Sequence, residues 1–257
     1  MMGGMQSELL KYRRTFIGKL IVFIPIFFSV YALVVQATMM NNPLSETSAW
    51  TWESLLALVF NWWSFLFLPL GYALFAALVA AQEKKSGNYR ALCSHHIPFR
   101  TIWFYKVTAM AIYSLLSTVV LIVAVAITGS FSGAGAIPFR QIVTAALVCW
   151  LVSLALVPIQ LCVATWKGMP LSMGIGFLGM IVGIFAAPEV IWVAVPWSWA
   201  TRLMCPLIGV HPNGTILETG DPLLDTSVIL IGIVVSVVSF LVLTGITAIW
   251  FGRREIV

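Results

Sequence analysis

Charge is what this chain has least of. Of its 257 residues only 9% are Asp, Glu, Lys or Arg, while 61% are hydrophobic; ordinary globular chains carry about 25% charged residues. A soluble domain has no means of burying so much apolar surface, so the composition predicts a polytopic membrane protein. Cysteine is also scarce. Of Cys93, Cys149, Cys162 and Cys205, at most Cys205 falls on the outer side and it has no mate there, so a disulfide framework is excluded and free buried thiols are expected. There is no Walker A loop, which excludes ATP binding by that route. No Ser–His–Asp arrangement or pair of intramembrane carboxylates is present, and the apolar runs carry almost none of the ionisable groups that proton- or ion-coupled carriers use at depth. Energy for any work must therefore enter from elsewhere. His95 and His96 adjoin Cys93, but they lack metal-ligand spacing and a fourth donor, so no metal site is expected. Nor is a nucleic-acid partner. The N-terminus has no signal-cleavage pattern, and its apolar run is long enough to remain as a span.

What is present is six apolar stretches, at about residues 20–38, 55–80, 101–128, 139–164, 171–187 and 227–251. Each is long enough to cross a bilayer as a helix. The expected fold class is an all-α integral membrane protein of six transmembrane helices, forming a single domain over residues 1–257. Pro25 is a tolerated kink near the start of the first span. With both termini cytoplasmic, twelve of the fourteen basic residues fall inside and only Arg140 and Arg202 outside. Three acids (Glu8, Glu83, Glu255) fall inside and six (Glu46, Glu53, Glu189, Glu218, Asp221, Asp225) outside. The inner side then carries +9 and the outer side −4, which satisfies the positive-inside rule.

The longest basic interruption, residues 81–106, lies between the second and third spans. Lys84, Lys85, Arg90, Arg100 and Lys106 assign it to the cytoplasm. Residues 83–95 can form a short helix, with Tyr89, Leu92 and Cys93 at i, i+3 and i+4, and Pro98 ends it. An apolar stripe that small needs a partner surface, which predicts a docking helix for a soluble subunit. Residues 5–19 read as a basic interfacial helix, with Leu9, Leu10, Phe16 and Ile17 toward lipid and Lys11, Arg13, Arg14 and Lys19 at the headgroups. They read equally as the positive flank that orients the first span.

Glycine crowds the fifth span. Gly174-x-Gly176-x-x-Gly179 matches a dinucleotide fingerprint in form only, because no βαβ unit surrounds it. Gly179-x-x-x-Gly183 reads as a close helix–helix contact. Residues 188–226 form an external segment. Its first half is apolar and aromatic but broken by Pro196 and Pro206, which fits a re-entrant or interfacial pair of short helices with Trp192, Trp197 and Trp199 at the outer headgroups. Its second half is a polar loop, in which Asn213-Gly-Thr215 is a chance sequon.

A basic N-terminal helix, six spans, and a loop of the form Glu83…Gly87…Arg90-x-Leu92…Pro98…Lys106 resemble a permease of the ABC-2 type. The resemblance covers nearly the whole chain. It implies a coupling helix, with Glu83, Gly87, Tyr89, Arg90 and Leu92 toward an ATP-binding subunit, and external re-entrant helices before the last span. Pro196-Trp197-Ser198-Trp199, Arg202-Leu203-Met204 and His211-Pro212-Asn213-Gly214 look like the lantibiotic-immunity permeases of the MutE/EpiE group. That likeness implies expulsion of lantibiotic-type peptides from a bacterial plasma membrane, with Trp192, Trp197, Trp199 and Arg202 shaping an outer gate. It also implies two copies of an ATP-binding subunit, which hold ATP and Mg while this chain holds no cofactor. A second related permease, or a second copy of this one, completes the assembly. Two other readings remain: an ABC-2 exporter of another amphipathic drug, lipid or glycan, and a non-transporting membrane sensor subunit.

Overall fold

The computed structural model describes residues 2–13, 15–40, 51–85, 87, 98–132 and 135–253. Among them the regular structure is helical, apart from one isolated antiparallel bridge between Val210 and Ile216. The helices are α1 (Met2–Arg13), α2 (Phe16–Met40), α3 (Trp52–Trp62), α4 (Leu68–Lys85), α5 (Phe99–Ser132), α6 (Phe139–Ser153), α7 (Leu156–Lys167), α8 (Met169–Ala186), α9 (Trp199–Ile208) and α10 (Ser227–Gly252). Among the described residues, five stretches are long and apolar enough to cross a membrane: Phe16–Val35, Trp52–Lys85, Phe99–Phe131, Met169–Ala186 and Ser227–Gly252. The bent pair α6 and α7 makes a sixth if it is taken as one span. The chain is an all-α integral membrane protein.

Two breaks inside the spans trace to proline. Between α3 and α4 the residues Trp63–Phe67 form one wide π turn, and Leu68 N–H donates to Trp63 O five residues back. Pro69 follows directly; it has no N–H for a bond to Phe65 O, and its ring would clash with that carbonyl, so the helix widens there instead of breaking. Between α6 and α7 the axis turns by 44°. Pro158 stands four residues after Leu154, the residue at which the bend occurs, and removes the bond that would have held it straight. Thr51 starts α3 by accepting the Ser54 N–H on its side-chain oxygen at 3.3 Å.

Helix α4 packs between α7 and α8, while α2 lies along α5, and α10 contacts α5, α6 and α7. Glycine lets α8 approach α4 closely: a Cβ on Gly176 would meet Ala73 Cβ of α4 at 2.5 Å. Polar side chains stitch the interior where hydrocarbon offers no other partner. Ser172 donates to Ala73 O at 3.0 Å, Trp103 Nε1 to Thr247 Oγ1 at 2.9 Å, and Trp150 Nε1 to Ser114 Oγ at 3.1 Å.

The external segment is part of the core. Helix α9 packs on α3, α6 and α10, and its Leu203, Met204 and Cys205 are fully buried. The N-terminal helix differs from a simple interfacial amphipath in a similar way. Leu10 and Phe16 are exposed, but Tyr12 and Ile17 are buried, and α1 is docked against α5.

Candidate functional site

The basic end of the bundle holds a closed ring of four charges. Glu8 and Lys11 project from one face of α1, three residues apart. Glu83 belongs to the last turn of α4, and Lys106 lies about two turns into α5. Lys11 Nζ reaches Glu8 at 2.6 Å and Glu83 at 2.9 Å; Lys106 Nζ reaches Glu83 at 2.7 Å and Glu8 at 3.2 Å. Each lysine touches both glutamates and each glutamate both lysines. Three of the four side chains are almost fully buried, and Lys11 is 22% exposed. A lone ammonium or carboxylate at such depth would be expensive, and alternation of sign offsets that penalty. Burial pulls the Lys11 ammonium down, but hydrogen bonds to Glu8 and Glu83, with their charges, raise it above its usual value. The Tyr12 hydroxyl beside the ring is raised well above its ordinary range, first by burial and then by Glu8 and Glu83.

Of the residues assigned to ATPase coupling, Glu83 and Gly87 are described; Tyr89, Arg90 and Leu92, with most of residues 83–95, lie outside the described residues. Glu83 belongs to the second span, and its carboxylate is turned into the ring. Gln82–Lys85 favour continued helix, so α4 runs through Lys85. Gly87 then takes a left-handed φ of 60° and donates its N–H to Lys84 O at 3.3 Å, which caps the end. His95, His96 and Cys93 also lie outside the described residues, and no group of three metal-binding side chains occurs among those described.

At the other end of the second span the aromatic segment is wired internally. Trp192, Trp199 and Arg202 are buried, and Trp197 is half-buried. Trp199 Nε1 donates to Val193 O at 3.0 Å, and Ser198 Oγ to Trp192 O at 2.9 Å. Arg202 Nη1 donates to Leu223 O at 2.9 Å, and its guanidinium sits 5.9 Å from the Trp192 ring centroid. Arg202 therefore ties the Pro222–Leu224 turn to the Val190–Ala194 turn. What these contacts present outward is Glu189, Val190 and Ile191, with Val190 92% exposed. Gly179 and Gly183 form a packing face, and its partner is Trp197 rather than another span. Asn213 Oδ1 accepts from Thr215 N at 3.0 Å, so the sequon is a turn closed on itself.

A third feature lies between these ends. An apolar cavity of about 80 Å³ opens between α2, α4 and α5, walled by Ile21, Ile24, Phe67 and Phe75 and edged by Ser117 and Thr118.

Residue-by-residue reading of the sequence missed the ring, although a signal was there. Lys106 was one more positive charge of a loop, yet it stands inside an apolar helix where it needs a carboxylate. Two of the three acids assigned to the basic side, Glu8 and Glu83, supply it.

Compared with known proteins, the chain matches the family model described as ABC-2 family transporter protein over residues 5–183. No curated protein and no solved structure gives a significant match.

Proposed function

Because the chain belongs to the ABC-2 family of transporter proteins, and so is the membrane subunit of an ABC transporter rather than an ATPase, we propose that it expels lantibiotic-type antimicrobial peptides from the membrane to the outside. The family implies an ABC ATP-binding partner. In the bacterial plasma membrane, with both termini cytoplasmic, the ATP-binding subunits dock on residues 83–95, with Tyr89, Arg90 and Leu92 at the contact and Gly87 setting the turn into it. Two ATP-binding subunits serve a pair of permeases, this chain with a related one or with a second copy of itself.

One observation supports a cationic, amphipathic cargo. The external segment presents the carboxylate of Glu189 beside exposed Val190 and Ile191, and Glu53, Glu218 and Asp225 are also exposed. Arg202, one of the two basic residues on that side, is spent on Leu223 and Trp192. The remaining field attracts positive charge, and the apolar pair receives a hydrophobic face. Trp192, Trp197, Trp199 and Arg202 shape this gate from behind by fixing the turn that carries Glu189.

The test begins with purification of the tagged chain expressed with its neighbouring genes. An ATP-binding protein should accompany it, and Arg90→Asp with Leu92→Asp should abolish that association while insertion persists. In proteoliposomes, a lantibiotic-type peptide should stimulate ATP hydrolysis and leave the bilayer. ATPase association without any response to such peptides would sink the cargo assignment and leave the family untouched.

A further inference from the structure

Residues 86–98, which hold most of the 83–95 stretch proposed to meet the ATP-binding subunit, lie between two helices, and each helix contributes one charge to the ring near that end. Glu83 stands before the stretch and Lys106 after it, 2.7 Å apart. Both also bind α1, Glu83 through Lys11 and Lys106 through Glu8. Helix α1 leads through Thr15, whose hydroxyl donates to Tyr12 O at 3.0 Å, directly into α2. Tyr113 of α5 adds a neutral bond to Leu9 O of α1 at 2.8 Å.

We propose that Glu8, Lys11, Glu83 and Lys106 are positioning residues for transport: the closed ring makes α1 and the two roots of the 86–98 stretch one rigid body, so that ATP-driven displacement of that stretch moves α1 and, through it, α2. The proposal rests on the reading that an ATP-binding subunit engages residues 83–95. The physical ground is the alternation itself. Each charge is held by two opposite charges on different helices, so no helix can slide away without leaving a buried charge half-paired. Separate salt bridges at a solvated surface would yield independently and carry little. A displacement applied at the roots of the stretch is thereby transmitted instead of being absorbed by a local rearrangement. The apolar cavity between α2, α4 and α5 is lined by Ile17, Leu20, Ile21 and Ile24 of α2, so the part of α2 next to α1 has room on that side to follow α1.

A ring and a set of separate pairs predict different rescue patterns, because exchanging only Glu83 and Lys106 would set Lys11 against a lysine and Glu8 against a glutamate. The experiment compares Glu83→Gln/Lys106→Met, the two-site exchange Glu83→Lys/Lys106→Glu, and the four-site inversion Glu8→Lys/Lys11→Glu/Glu83→Lys/Lys106→Glu. Two readouts are taken. The first is peptide transported per ATP hydrolysed by the reconstituted complex. The neutralised and two-site variants should lose about tenfold, the scale of a coupling free energy between sites, counted per complex that retains its ATP-binding subunit; the inversion should recover most of the loss.

The second readout uses the permease alone, spin-labelled at exposed Arg13 and Lys85 with its native cysteines replaced. The distance distribution between α1 and the end of α4 should be narrow in the unmodified ring and the inversion, and broad in the other two. If no ATP-binding protein associates with the native chain, the docking reading falls, and the spin-label distances still decide whether the ring is one body. Equal rescue by the two-site exchange, or a narrow distribution in the neutralised variant, would overturn the proposal.

Discussion

The carbonyl oxygen of Trp197 lies 2.7 Å from the point where a Cβ on Gly183 would stand. The indole of the same tryptophan covers Gly179, so one residue of the external segment is seated in the gap left by two missing side chains of α8. The two glycines meet different parts of Trp197, and this separates their effects. Gly179→Ala should be relieved by Trp197→Ala, because the obstacle is a side chain. Gly183→Ala should not, because the obstacle is backbone. Each single substitution should cost about 1–3 kcal/mol, the usual range for overpacking, read as a lower Tm in detergent. Rescue of both by Trp197→Ala would show that the backbone contact does not constrain the segment.

Arg202 gives a second prediction, which separates support from cargo contact. Arg202→Ala deprives Leu223 O of its donor and Trp192 of its cation, and should cost about 1.5–3 kcal/mol, as expected for a hydrogen bond to a charged group. Chymotrypsin should then cut residues 218–226 faster than in the unmodified protein. If stability and protection were unchanged while peptide efflux fell, Arg202 would be touching the cargo and its contacts to Leu223 and Trp192 would be incidental.

Those two sites show which parts of the structure can be read from sequence. Span positions are legible because bilayer thickness imposes a minimum apolar length, and runs such as 227–251 meet it without ambiguity; Ser227–Gly252 is the helix that results. Close approach at the glycines of α8 is legible as well, but the partner is not. Gly176 meets Ala73 of a neighbouring span, while Gly183, seven residues on, meets a loop, and nothing in glycine spacing distinguishes these. The ring is harder still. Glu8, Glu83 and Lys106 come from three separate helices, so only their packing makes them neighbours. Trp192 reads as a headgroup residue by type and position, and only the packing reveals that its ring is buried with Arg202 beside it.

Cys205 offers a test of that burial that does not involve transport. Its thiol is pushed up to about 11 by burial, against the opposing pull of Arg202. At pH 8 roughly one molecule in a thousand then carries the reactive thiolate. With Cys93, Cys149 and Cys162 replaced by serine or alanine, the remaining thiol should resist maleimide at neutral pH in intact membranes, and modification should rise steeply as pH approaches 11. Rapid labelling at pH 7.5 would mean that α9 is open to water.

Alkaline pH should undock α1, and the sign follows from Lys11. Its pKa is raised above 10.5 because the carboxylates of Glu8 and Glu83 outweigh the effect of its own burial. A cation whose folded-state pKa is raised contributes its full stability below the unfolded value and loses it as pH climbs through the folded value. Docking of α1 should therefore be constant up to about pH 10 and weaken only above Lys11's unperturbed value of 10.5. Tyr12 does not reverse this, because its hydroxyl is held well above its ordinary range and stays neutral over the same interval. A spin label at Arg13, exposed beside the ring, should be immobile at pH 8 and gain mobility only in the alkaline window. In Lys11→Met the label should be mobile already at pH 8, since Glu8 and Glu83 then share Lys106 alone. Loosening of the unmodified protein below pH 10 would show that Lys11 does not hold α1 in place.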